Sequence, residues 1–334
     1  MADGLAPWAR KRGPELLARA EAEAVAVLRD ALIDAALAER GGGVSTRPPL
    51  RQAAPEAAPE RDVPSGEGLW AYCVLRAGEP LPDDVQGVHR ASALERVKAG
   101  GLAAVVSRVP LAEFGAVPLR ENLNDLAWLE RVARAHEAVL DRALAQSTIV
   151  PLRLCTIYES EQSVREMLER ERESLTRALD ALAGHQEWGV KLTADGDRLA
   201  EEARSRNQDV AVLEDELGSR TGGGAYMLRR RLERQVREAV DALGADLADQ
   251  VHAELQDWSS DAVALPPQNP ELSRHEGTML LNGAYLVETE RVDGLRRLVA
   301  ELEERHRALG ASIELTGPWP PYNFLPGGRT AGLA

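Results

Sequence analysis

The sequence predicts an α+β protein, with a ferredoxin-like N-terminal domain and a C-terminal α+β domain carrying an antiparallel, coiled-coil-like helical hairpin. Three observations predict it. The order over 69–193 is strand, strand, helix, strand, helix, strand, which is mixed order with helices beside a small sheet. Two apolar seams at helical spacing, joined by glycines, fill 197–257. Aromatics are only 4% of the 334 residues, while Ala, Leu and Val abound, a balance that favours helices on small sheets over a β-barrel.

The elements follow in order. Residues 1–40 read as a helical extension, with Pro14 suited to a first helical turn and Gly41-Gly42-Gly43 suited to its end. Residues 41–67 are rich in Pro and Ala and lack any apolar period, so they read as a linker. The first domain is predicted over 68–195. Its strands are the apolar runs from Leu69 to Leu75, from Gly101 to Ser107 and from Thr148 to Tyr158, closed by a fourth from Glu187 to Thr193. Pro151 puts the third at an edge or bulge. A helix over 121–145 carries Leu126, Leu129, Val132, His136, Val139, Leu140 and Leu144 on one face, and another runs from Ser160 or Ser163 to Ala183, stopped by Gly184.

The second domain is predicted over 196–325. Leu199, Ala203, Val210, Leu213 and Leu217 form one arm of the hairpin, with Arg206 weakening its seam, and Gly222-Gly223-Gly224 makes the turn. Pro266, Pro267 and Pro270 end the second arm, and a strand over 279–287, a helix over 291–309 and a strand over 313–316 complete the domain. Residues 326–334 read as a flexible tail.

Charge narrows the function. At −14 the chain lacks the basic footprint that binds phosphates or an anionic membrane surface, so neither nucleic acid nor membrane is an expected partner. No apolar stretch approaches the ~20 residues of a membrane span. No secretory leader is evident, and Cys73 and Cys155 stand far apart in apolar runs, which fits buried thiols in a cytoplasmic protein.

No catalytic, cofactor or metal motif emerges: the chain has no phosphate loop, GxGxxG after a strand, HExxH, zinc-type cysteine pair or GxSxG. His136 fits either a core histidine bonded to a backbone carbonyl or an acid/base group of an unrecognised enzyme site, the core role being favoured because no second ligand or nucleophile stands at useful spacing. Glu187 and Lys191 share one face of a strand, as a catalytic pair or, favoured over that, as a structural ion pair or solvent-facing charges. The C-terminal octet gathers Trp319, Tyr322 and Phe324 among Pro318, Pro320 and Pro321. Prolines fix φ and remove donors, so this segment is predicted to be a stiff strap. It serves as a clasp on its own domain, as a partner-binding patch formed by Trp319, Pro320, Pro321, Tyr322 and Phe324, or as both.

Four stretches together resemble the gas vesicle GvpL/GvpF family. They are Tyr72–Arg76 (YCVLR), the run Trp128-Leu129, Ala135-His136-Glu137 and Val150–Arg153 (VPLR), Glu187–Lys191 (EWGVK), and Asn282 with Tyr285–Val287 followed by Leu315–Phe324 (LTGPWPPYNF). One departure stands out: Cys155-Thr156-Ile157-Tyr158 occupies the place of an expected glycine-containing stretch. The resemblance implies a non-enzymatic assembly accessory protein, chaperone-like, that binds the small hydrophobic shell protein GvpA and other accessory proteins without a cofactor. It also leaves room for a minor structural component of the vesicle wall. Either role implies a place in the cytoplasm and at the gas vesicle.

Overall fold

The computed structural model describes residues 66–82, 84–219, 223–265 and 277–325. The predicted helical extension over 1–40, nearly all of the linker, the prolines at 266–270 and the tail at 326–334 lie outside the described residues. The described residues form two compact units, divided between Asp180 and Ala181. Each contains helices and one antiparallel sheet, so the α+β class holds.

In the first unit, β1 (Glu67–Arg76) is central and buried from Gly68 to Leu75, as its unbroken apolar run requires. β3 (Leu102–Pro110) flanks it on one side, and β2 (Leu94–Ala99) forms the edge beyond β3. The β2–β3 turn uses Gly100 and Gly101, at φ 56° and 83°, the positive pair a tight hairpin needs. β2 is absent from the sequence reading because LERVKA buries only Val97. On the other side of β1, the predicted strand over 148–158 appears as two short pieces, β4 (Val150–Pro151) and β5 (Ile157–Tyr158).

Between β4 and β5 the chain loops through Cys155, whose φ is 65°. A left-handed conformation costs a residue with a Cβ roughly 1–2 kcal/mol. Here stands the residue where the family resemblance calls for glycine. Cys155→Gly is therefore expected to stabilise the first unit by about 0.5–1 kcal/mol after the entropic cost of glycine, read as a higher thermal midpoint. Cys73, by contrast, is wholly buried, and burial pushes its thiol up to about 12.

Helices α1 (Leu111–Phe114), α2 (Ala116–Asn122) and α3 (Leu126–Leu144) follow β3. Asp125 caps α3 by accepting from the amides of Ala127 and Trp128. Leu126, predicted on the apolar face, is exposed because it occupies the first turn. The predicted helix over 160–183 divides at Glu171 into α4 (Glu161–Arg170) and α5 (Arg172–Leu182).

The second unit corrects the predicted domain boundary. β6 (His185–Ala194), read as the fourth strand of the first domain, instead pairs with β8 (Thr278–Glu288) and β9 (Ala311–Trp319). The units divide after Asp180, inside α5, where no linker composition marks the change. β7 (Asp261–Ala264) completes this sheet on the outer side of β8.

The first arm of the predicted hairpin is two helices, α6 (Gly196–Arg206) and α7 (Gln208–Gly218). They break at Asn207, whose side chain leaves the first arm to cap α7 through the amides of Asp209 and Val210. The second arm is the continuous α8 (Gly223–Trp258), 36 residues and about 54 Å long. Both α6 and α7 pack along α8. Leu247, Val251 and Leu255 of α8 join Tyr285, Val287 and the apolar face of α9 (Val292–Arg305) in the core over the sheet.

The two sheets share one strand order. β1 and β2 each run antiparallel to β3, so they are parallel to each other with β3 inserted between them. β6 and β7 stand in the same relation to β8. The last strands, β4 and β5 in one sheet and β9 in the other, lie on the free side of the first.

Candidate functional site

The C-terminal octet begins within β9, at an irregularity in its pairing with β6 between Glu187 and Gly189. Gly317 has φ 137°, and a Cβ there would meet the Glu187 carbonyl and the Trp188 ring at 3.0 Å each, so this turn requires glycine. Trp319 pairs with Glu187 across β6 and β9, and its ring lies over Gly189, where a Cβ would come within 3.4 Å of the indole nitrogen. The indole N–H donates to Thr316 Oγ1 at 3.1 Å. Pro320 and Pro321 are buried, and a single 3-10 turn, Tyr322–Phe324, follows.

Glu187 fixes that turn. Its carboxylate is 2% exposed and accepts twice from Asn323, at 2.7 Å from the side-chain amide and 3.1 Å from the backbone N–H. Charge-assisted bonds of this kind are the strong class, and they satisfy a carboxylate that would be costly to bury alone. Lys191, on the same face of β6, is 9% exposed. Neither charge faces solvent, which corrects the reading of the two as solvent-facing charges.

The strap is thus a clasp. Trp319, Pro320 and Pro321 are buried within their own unit, which removes them from direct contact with a partner. Tyr322 and Phe324 are half-buried.

His136 occupies a second joint, in the first unit. It is wholly buried on α3 and stacks on Tyr72 with ring centroids 5.3 Å apart. Trp70 Nε1 donates to His136 Nδ1 at 3.0 Å, so Nδ1 is an acceptor. The proton of the neutral ring is therefore on Nε2, which donates to the Leu152 carbonyl at 3.2 Å. Tyr72 shares a 2.7 Å hydrogen bond with Ser107 Oγ and accepts from the Val88 amide, and burial pushes its phenol up to about 12. Both ring nitrogens of His136 are committed to the fold, the pattern of a core histidine. Among the described residues, no three His, Cys, Asp or Glu side chains gather as a metal would need, and no helix is long and apolar enough to cross a membrane.

The two joints explain why widely separated motifs occur together. Tyr72, His136 and Leu152 come from YCVLR, AHE and VPLR, and Glu187 and Asn323 come from EWGVK and PPYNF, 136 positions apart. The sequence reading named all five segments but not their contacts, because hydrogen bonds over such distances leave no periodic signal.

A family model described as gas vesicle synthesis protein GvpL/GvpF matches residues 68–326. The chain belongs to that family. Gas vesicle protein L of Streptomyces sp. (strain CB03234) is 35% identical over 257 residues, covering 76% of this chain and 91% of the relative. Gas vesicle protein F of the same strain is 27% identical over 258 residues, covering 77% and 98%. The fold is that of solved GvpF structures: GvpF of Anabaena sp. PCC7120 superposes with a TM-score of 0.61 at 19% identity, over 78% of this chain and 99% of that one. GvpF of Microcystis aeruginosa does so at 0.56. The match begins at 68, so the first 67 residues of this GvpL/GvpF member lie beyond the shared region.

Proposed function

We propose that this GvpL/GvpF member is an assembly accessory protein that binds the shell protein GvpA in the cytoplasm and releases it to the growing vesicle, converting no substrate. The observation that carries this reading is the family match across 68–326, which takes in both sheets and both joints. A physical argument supports it. A protein that polymerises into an apolar-faced wall exposes aggregation-prone surface and strand edges before it is incorporated. A partner of charge −14 keeps such a complex dispersed. Other accessory proteins are further partners on this reading.

Tyr322 and Phe324, half-buried next to the buried Trp319, Pro320 and Pro321 in sequence, are the proposed contact. We also read both sheets as variants of the split βαβ, ferredoxin-like plan, with α6, α7 and α8 as the coiled-coil-like hairpin of the second. Deleting the gene tests the function: cells should lose gas vesicles and regain them with the intact gene, but not with Tyr322→Ala/Phe324→Ala. Normal vesicles in the deletion strain would refute the assembly role, and full rescue by the double variant would refute the contact.

A further inference from the structure

Helix α8 carries its charge in two blocks. From Gly224 to Val240 it has five arginines, at 229, 230, 231, 234 and 237, against two glutamates; from Asp241 to Trp258 it has five acids and no arginine or lysine. A basic block is unusual in a chain of charge −14. Helix stability does not account for it, because the first turn holds no acid and the last no base, the charges the macrodipole favours.

One exposed stripe runs through both blocks. Met227, Arg231, Arg234, Glu238, Asp241 and Ala245 are all exposed and recur at spacings of four, three, four, three and four. That is the seam spacing of a coiled coil, on a face other than the one packed against α7. Its charges are self-complementary about Val236: Arg234 and Glu238 lie at equal distances on either side, as do Arg231 and Asp241, and then Met227 and Ala245.

We propose that this stripe is a homodimer interface, in which α8 of one molecule packs antiparallel on α8 of a second copy about a twofold axis at Val236. This goes beyond the proposed function and does not depend on it. Each Arg234 then faces Glu238 of the second copy, each Arg231 faces its Asp241, and Met227 packs over its Ala245. A parallel pairing would oppose like charges at four of the six positions, so the charges select the antiparallel one. Within one molecule Arg234 and Glu238 are 3.9 Å apart, with side chains 71% and 61% exposed, a loose pair free to exchange partners. The stripe is about 27 Å long and its seam is mostly polar. The dimer is therefore in the weak class, below roughly 1,200 Å² of total buried area.

Sedimentation equilibrium of the full chain over a wide concentration range tests this, at a salt level where distant charges are screened but contacts are not. The wild-type chain should show a reversible monomer–dimer equilibrium. Arg231→Glu/Arg234→Glu makes the stripe wholly acidic, and Glu238→Arg/Asp241→Arg makes it wholly basic; each should be monomeric, with an unchanged circular dichroism spectrum. Mixed in equal amounts, the two should form a heterodimer, and the chain carrying all four changes should dimerise again. A wild-type chain that stays monomeric, a dimer that survives in either double variant, or a mixture that fails to associate would overturn the proposal.

Discussion

Replacing His136 with Ala is expected to lower the stability of the first unit by about 3–5 kcal/mol. The imidazole fills buried space against Tyr72 and Trp70, and truncation leaves a cavity that costs a few kcal/mol. It also strips the Trp70 indole N–H of its buried acceptor, which costs about 1–3 kcal/mol, and takes one donor from the Leu152 carbonyl. These terms overlap, since the cavity can admit water, so the total stays below their sum. Chemical denaturation followed by tryptophan fluorescence reads the loss. A variant with an unchanged midpoint would mean that His136 is not a packing joint, and would reopen the acid/base role.

Glu187→Ala should release the C-terminal clasp. The carboxylate holds both the backbone and the side chain of Asn323, and nothing in alanine replaces it. The expected loss is about 2–3 kcal/mol, localised at the strap, because buried charge-assisted pairs exceed neutral ones. Hydrogen exchange at the Asn323 amide should accelerate by about a hundredfold, since each 1.4 kcal/mol is tenfold. The effect at the far end of the β6–β8 ladder, where Leu192 faces Leu281, should be small. Glu187→Gln keeps the shape and one acceptor, so it should fall between the wild type and Glu187→Ala. Equal exchange at Asn323 in all three chains would show that the clasp is held by Trp319 and the prolines alone.

Much of the fold was legible where one physical signal dominated. β1 is a continuous apolar run, and it is central and buried. α3 repeats apolar residues at helical spacing, and Asp125 caps it. The elements that escaped have mixed signals. β2 is an edge strand with one buried residue, and α6 and α7 separate at an asparagine that prefers capping to continuation. Arg206, which weakens the seam, is the last residue of α6. The domain boundary was misplaced because strand pairing is non-local: EWGVK reads as a strand in either unit, and only its partners 90 and more positions onward decide.

The candidate site divides in the same way. The concentration of aromatics and prolines in the octet marked a stiff, unpaired strap, whereas its first part extends β9, with Trp319 paired to Glu187, and its end is a 3-10 turn. That Trp319 is buried has no mark in the sequence, since it depends on Gly189 and Gly317 making room for its ring and for the backbone before it. The Glu187–Asn323 pair carries no signature of its own. The self-complementary stripe on α8 was in plain view as sequence, but it becomes meaningful only once α7 and the sheet are seen to occupy other faces of the helix.

Co-expression with the shell protein tests the central claim most directly. With this chain present, GvpA should move from the insoluble to the soluble fraction and co-purify with the chain, and the Tyr322→Ala/Phe324→Ala variant should lose that effect while remaining folded. If GvpA pellets to the same extent with and without the chain, and none is retained on it, the protein does not work by masking the shell protein.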